Sequence, residues 1–258
     1  MNDTLKPHAA AAARALHDGA SRARTIAERV GGYDWQATEA ALDEHGWAPL
    51  AEALTTGECD LLASLYTREE HFRSRVVMAR HGFGRGEYKY FRYPLPALVA
   101  ELRASLYVRL VAIANRWNER LALDERFPDD HGAFIERCHS AGQQRPTPLL
   151  LQYGPEDYNC LHQDLYGEHA FPLQAVFLLS SPGDDFSGGE FVLTEQRPRM
   201  QSRAEVVPLA KGDGALFAVN QRPKRGTRGF YRVTMRHGAG RIRSGRRCTL
   251  GVIFHDAR

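Results

Sequence analysis

Long apolar runs are missing from this chain. No stretch approaches the roughly 20 residues that cross a bilayer, and the N-terminus has no apolar core of the kind a secretory signal carries. A cytoplasmic protein with no membrane partner is therefore expected. Cysteine is scarce as well: Cys59, Cys138, Cys160 and Cys248 are widely separated, with no CxxC pair. That spacing argues against a zinc-finger framework or a disulfide scaffold and suits reduced thiols. Acidic residues run short in one segment. Between Arg197 and Arg247 only Glu205 and Asp213 oppose a long series of arginines and lysines. Such a stripe can follow phosphates, or it can be a solvated basic face with no polyanion partner. The net charge of the whole chain, +3, is mild. Internal repeats and low-complexity linkers are also lacking. What is present is ordinary for a folded protein, 43% hydrophobic and 25% charged over 258 residues, which excludes disorder as the dominant state.

Taken in order, residues 1–30 are rich in Ala and Arg and suggest a weakly hydrophobic helical arm packed on the core. A transit peptide is disfavoured by Asp3, Asp18 and Glu28. Gly31-Gly32 breaks the pattern. Asp34 can cap a helix ending before Gly46, and His45 to Leu50 then reads as a short strand. Thr55 with Glu58 forms a capping box for a helix with Leu61, Leu62, Leu65 and Tyr66 on its apolar side. Residues 72–96 interleave Arg73, Arg75, Arg80, Arg85, Lys89 and Arg92 with Phe83, Tyr88, Tyr90, Phe91 and Tyr93. Aromatic faces stack on bases while cations follow phosphates, so this segment is a candidate substrate lid. An ordinary twisted hairpin with exposed arginines is its plainer reading.

From Pro96 the apolar positions Leu98, Leu102, Leu106, Leu110, Ile113, Trp117 and Leu121 recur every three or four residues, which predicts a long amphipathic helix. Asp129 or Asp130 can cap a shorter helix to about Ser140, with Gly142 as its stop, and His139 suits the dipole at its end. After Pro146 the texture changes to short β-rich runs, with strands expected near 148–153, 173–179, 189–194, 204–209, 214–219, 230–235 and 247–254. That spacing fits a double-sheet jelly roll. The expected fold class is α+β: a helical N-terminal extension over 1–145 packed on a jelly-roll core over 146–258, as one compact unit.

The stretch Leu149 to Asp164, LLLQYGPEDYNCLHQD, carries the chemistry. It sets His162 and Asp164 two apart after a strand-like run, and in a strand such positions share a face. One more His would complete a face of three ligands with open positions opposite, the set that suits non-haem Fe(II). His237 is the candidate, with His169 and His255 as rivals. Gln174, Asn159 and Tyr158 are polar residues that can contact a substrate or orient ligands, or serve the structure.

The runs YGPEDYNCLHQD, GGEFV (Gly188 to Val192), KGDGALF (Lys211 to Phe217), His237 and SGRRCTLGVIF (Ser244 to Phe254) together resemble the Fe(II)/2-oxoglutarate dioxygenases, in order and spacing, over about 148–256. The resemblance implies Fe(II) held by His162, Asp164 and His237, with 2-oxoglutarate and O2 as co-substrates. It also implies that Arg247, ten residues past His237, grips the far carboxylate of the keto acid. Tyr153 and Thr249 would add contacts to it. His255 as distal ligand would leave no basic residue in the corresponding place. The fuller text looks like a prokaryotic branch compared with AlkB-like enzymes, which implies oxidative demethylation of alkylated bases in single-stranded DNA or RNA. Hydroxylation of a protein side chain or a small metabolite is the alternative, and a non-catalytic cupin-like binding module the third.

Overall fold

The computed structural model describes residues 24–258, so most of the Ala- and Arg-rich arm expected over residues 1–30 lies outside the described residues. The caps expected from sequence begin the helices that follow. Asp34 accepts from the amide of Ala37 at the start of Trp35–His45, and Gly46 ends that helix in the left-handed conformation. Thr55 and Glu58 cap Thr56–Ser64 reciprocally, satisfying two free amides at once. The periodic run after Pro96 is the helix Ala97–Arg120, and Asp130 caps His131–Ser140.

Among the described residues there are fifteen strands, numbered in chain order. They are β1 (Trp47–Leu50), β2 (Phe72–Val77), β3 (Gly84–Arg85), β4 (Glu87–Phe91), β5 (Leu149–Tyr153), β6 (Tyr158–His162), β7 (Leu173–Leu178) and β8 (Phe186–Gly188). Then come β9 (Phe191–Gln196), β10 (Arg203–Val207), β11 (Gly214–Ala218), β12 (Gln221–Gly226), β13 (Gly229–Ala239), β14 (Ile242–Gly245) and β15 (Arg247–Ile253). A major sheet of seven strands runs β1-β11-β7-β15-β5-β4-β2, and a minor sheet runs β10-β9-β13-β6-β3, with β12 beside β13 and a small β14-β8 pair apart. All the paired strands are antiparallel, the architecture of the expected jelly roll. Strands from before residue 146 extend the major sheet at both ends, through β1 and the β2–β4 hairpin. Within residues 72–96, β2 and β4 pair as a hairpin, and Phe83, Tyr88 and Tyr90 line the cavity inside the barrel.

The centre of the major sheet is buried on both faces because helices cover one and the barrel interior lies against the other. Along β15 the alternation is direct. Cys248, Leu250 and Val252 join the helix-side core with Leu102, Leu106, Leu110 and Trp117, while Arg247, Thr249 and Gly251 face the cavity inside the barrel. The same period of two places Tyr88 and Tyr90 of β4, Leu149, Leu151 and Tyr153 of β5, and Gln174 and Val176 of β7 on the cavity side. Burying such side chains is worth about 1.5–3 kcal/mol each, so the helix layer holds the major sheet rigid behind the site. A buried ion pair strengthens one end: Arg103 of the long helix bonds Asp256 at 2.7 Å and the carbonyl of Ile253 at 2.8 Å.

Candidate metal centre and active site

Two strands and one loop bring the candidate ligands together. His237 of β13 lies directly opposite His162 of β6 in the ladder, which brings their rings to 4.2 Å between centroids, tilted 48° to each other. The ladder is bulged between His237 and Ala239. Gly238 sits at the bulge, where a Cβ would come within 2.6 Å of the Asn159 carbonyl oxygen. Asp164 lies two residues beyond the end of β6, in an irregular loop. Its position is therefore set by loop contacts, and the two-residue strand spacing is not what aims it. Asp164 Oδ2 is 3.2 Å from His237 Nε2, and Oδ1 is 3.5 Å from His162 Nε2. One ligand atom from each of the three residues lies within 4.8 Å of the others.

The electrostatics suit a cation. His162 Nδ1 sits 2.8 Å from the Cys160 carbonyl, so it donates there and leaves Nε2 free to offer a lone pair. Burial, with the neighbouring His162, pulls His237 below its ordinary value, which keeps that ring neutral and able to ligate. Burial pushes the Asp164 carboxyl up, but its hydrogen bonds with His237 and Tyr166, and the positive charge either imidazole carries when protonated, outweigh it and hold the group well below the carboxylate range. Among the described residues no Lys or Arg forms an ion pair with Asp164. The three residues are thus a charged carboxylate and two imidazoles around one point, a donor set that fits a divalent ion of the Fe(II) type.

Behind them lies a cavity of ≈ 200 Å³. Arg247 lines it at only 3% exposure, and among the described residues no carboxylate pairs with its guanidinium. Its closest aromatic neighbour is Tyr153, whose ring centroid is 5.7 Å from the guanidinium carbon. Burial pulls the Arg247 pKa down, and an anion would relieve that cost. Burial pushes the Tyr153 phenol up, so it remains a hydrogen-bond donor. Thr249 faces the same cavity two residues along β15, and Arg246 is exposed on the outside. A buried cation beside two hydroxyl donors fits a dicarboxylate such as 2-oxoglutarate.

Most of the other candidates fall into place around this cavity. Asn159 and Gln174 line it, and the buried Oε1 of Gln174 has no hydrogen-bond partner, so it presents an acceptor to a ligand. Tyr158 is exposed and does not line the cavity. His169 and His255 lie elsewhere: His169 Nδ1 is 3.0 Å from Glu125, and buried His255 accepts the Phe171 amide at 3.1 Å. His139 lies in the last turn of its helix, as expected, and its ring also bonds Asp256 at 2.8 Å.

Two neighbours escaped the sequence reading. Phe217 packs its ring 4.7 Å from that of His237. Tyr166 donates to Asp164 Oδ1 at 2.5 Å. The first belonged to an expected strand, and the second to a loop in which spacing assigns no face.

The Oxygenase-NA family, described as "Oxygenase, catalysing oxidative methylation of damaged DNA", matches residues 86–257. An uncharacterized protein of Mycobacterium tuberculosis (strain ATCC 25618 / H37Rv) is 47% identical over 167 residues, 65% of this chain and 72% of its own length. Among solved structures, a 2OG-Fe(II) oxygenase family oxidoreductase from Burkholderia pseudomallei superposes with a TM-score of 0.51 at 15% identity, covering 88% of this chain and 94% of that one. A prolyl 4-hydroxylase from Phytophthora capsici gives 0.52 at 14% identity, covering 90% and 66%. At those identities the likeness is one of fold. The family match spans more than half of the chain, and the His-Asp-His cluster lies in a fold shared with 2OG-Fe(II) oxygenases; this chain is a member of the Oxygenase-NA family of oxygenases.

Proposed function

We propose that the protein removes methyl groups oxidatively from alkylated bases in single-stranded DNA or RNA, with His162, Asp164 and His237 holding the iron and Arg247, Tyr153 and Thr249 holding 2-oxoglutarate. Iron bound there with the keto acid and O2 supplies hydroxylation of a C–H bond, coupled to conversion of 2-oxoglutarate to succinate and CO2. On an N-methyl group that product is a carbinol, which collapses to the free base and formaldehyde.

The observation that carries the nucleic-acid reading is Phe83. It lines the mouth of the cavity, is 47% exposed, and stacks one face on His81 with centroids 5.3 Å apart and planes 23° from parallel. A base stacked on such a ring gains about 1–3 kcal/mol whatever its identity. A flipped or unpaired base can enter the cavity there. Gln174 offers its unpaired acceptor to the base edge. The basic stripe supports the reading in part. Lys211, Lys224 and Arg241 are tied to Asp60, Glu44 and Glu156, and Arg197 and buried Arg222 both bond Glu195. Arg225, Arg228, Arg232 and Arg236 are exposed along β12 and β13, with no ion pair among the described residues, and β13 leads to His237.

The test is succinate and formaldehyde release under Fe(II), ascorbate and O2, with and without an N-methylated single-stranded oligonucleotide. The expected result is oligonucleotide-stimulated turnover that His162→Ala abolishes. Turnover indifferent to the oligonucleotide would redirect the substrate to a protein or metabolite. Turnover surviving in His162→Ala would refute the ligand assignment.

A further inference from the structure

We propose that Tyr166 is a positioning residue that makes Asp164 a single-oxygen ligand and so keeps the metal's remaining positions open; the inference rests on the ligand set proposed above.

Asp164 sits in a loop, and a carboxylate on a loop can rotate about its last bond to present one oxygen or two. Here its two oxygens are not equivalent. Each oxygen faces one imidazole, Oδ1 at 3.5 Å from His162 Nε2 and Oδ2 at 3.2 Å from His237 Nε2, but only Oδ1 also accepts the Tyr166 hydroxyl, at 2.5 Å. The Tyr166 oxygen in turn accepts the hydroxyl of Tyr90 at 3.1 Å, so its own proton is directed to Asp164. Tyr90 is held on β4, where the Arg73 guanidinium lies 4.4 Å from its ring centroid. A cation over the face draws electron density from the ring and strengthens the phenol as a donor. The chain Arg73, Tyr90, Tyr166, Asp164 therefore runs from the major sheet to the carboxylate.

The consequence concerns coordination number. Two imidazoles, one carboxylate oxygen, two atoms of the keto acid and O2 would fill the six positions of an octahedral ion. A carboxylate binding through both oxygens would occupy one that a co-substrate needs. With Oδ1 engaged by Tyr166, Oδ2 would be the oxygen offered to a metal. Outer partners of this kind change metal affinity by roughly 10–100-fold when removed.

The experiment is titration of the metal-free protein with Co(II), with and without 2-oxoglutarate, in the wild type and in Tyr166→Phe, Tyr90→Phe and His162→Ala. Visible absorption reports coordination, and circular dichroism checks the fold. Tyr166→Phe should keep the wild-type fold, bind Co(II) roughly tenfold more weakly in the presence of 2-oxoglutarate, and shift the cobalt absorption bands. Tyr90→Phe should move the same readouts in the same direction by less. A folded Tyr166→Phe with wild-type affinity and bands would overturn the proposal. Should that variant not fold, unchanged affinity and bands in Tyr90→Phe would overturn it instead. Wild-type protein whose cobalt bands are indifferent to His162→Ala would remove the ligand set itself, a failure distinct from that of Tyr166.

Discussion

Arg247 shows what burial does to a single side chain. A guanidinium at 3% exposure with no carboxylate partner is costly to keep folded, and the cost is offset when a ligand carboxylate fills its fork. Arg247→Gln removes both the charge and the fork. Charged hydrogen bonds contribute about 1.5–3 kcal/mol, so KM for 2-oxoglutarate should rise by roughly 10–100-fold in the succinate assay, with kcat less affected. An unchanged KM would place the keto acid elsewhere. Arg247, Tyr153, Thr249, His162, Asp164 and His237 all line one cavity, and all were legible as residues because each occupies a motif with fixed spacing. Tyr166 and Phe217 were not. Their importance comes from which atoms they touch, and neither a period nor a motif encodes that contact.

At the scale of elements, the segment after β6 is the one whose form departs from a simple reading. Tyr158 to His162 is a strand with little burial on either face, so it lacks the alternation that marks one, and Asp164 falls in the loop beyond it. What pins that loop is Gln143, fully buried, whose side chain bonds both the amide and the carbonyl of His169 and the carbonyl of Asp256. Gly167 passes this amide at φ 147, where a Cβ would fall 2.3 Å from Gln143 Cδ. Gly167→Ala must displace Gln143 or the loop and also strain the backbone. A cost of about 1–3 kcal/mol corresponds to a melting temperature lower by roughly 2–12 °C. Cobalt affinity should fall with it, because Asp164 and Tyr166 move with the loop. A variant that melts and binds like the wild type would show that the loop accommodates the methyl group freely.

For the molecule as a whole, buried neutral histidines make acid a threat to folding. Burial, aided by the positive charge of Arg103, pulls His255 from 6.5 down to about 4, and burial does the same to His131. Below 6.5 the unfolded chain takes up protons that the folded chain refuses until about 4. Stability is therefore full above the unfolded value and falls as pH drops through this window. His255 alone accounts for a loss on the order of 3 kcal/mol across it. His255→Asn, whose side-chain oxygen can still accept the Phe171 amide, should flatten the fall in melting temperature between pH 6.5 and 4. An equally steep fall would assign the acid sensitivity to other groups.

Periodicity and capping residues determined the long helix, the caps at Asp34, Thr55 and Asp130, and the run of β-strands after Pro146, because these follow from local burial and local hydrogen bonding. Alternation along β15 likewise turned the interval between Arg247 and Thr249 into one shared direction, whereas Asp164 lies in the loop beyond β6, where spacing gives no direction. Only the tertiary structure decided which histidine stands opposite His162, since that depends on the register of β13 against β6 across a bulge. It also decided that β1 and the β2–β4 hairpin extend the major sheet, and that several arginines of the basic stripe are tied to acids distant in sequence. Ladder registers and ion pairs between distant segments are settled when the whole core packs, and a linear pattern holds no record of them.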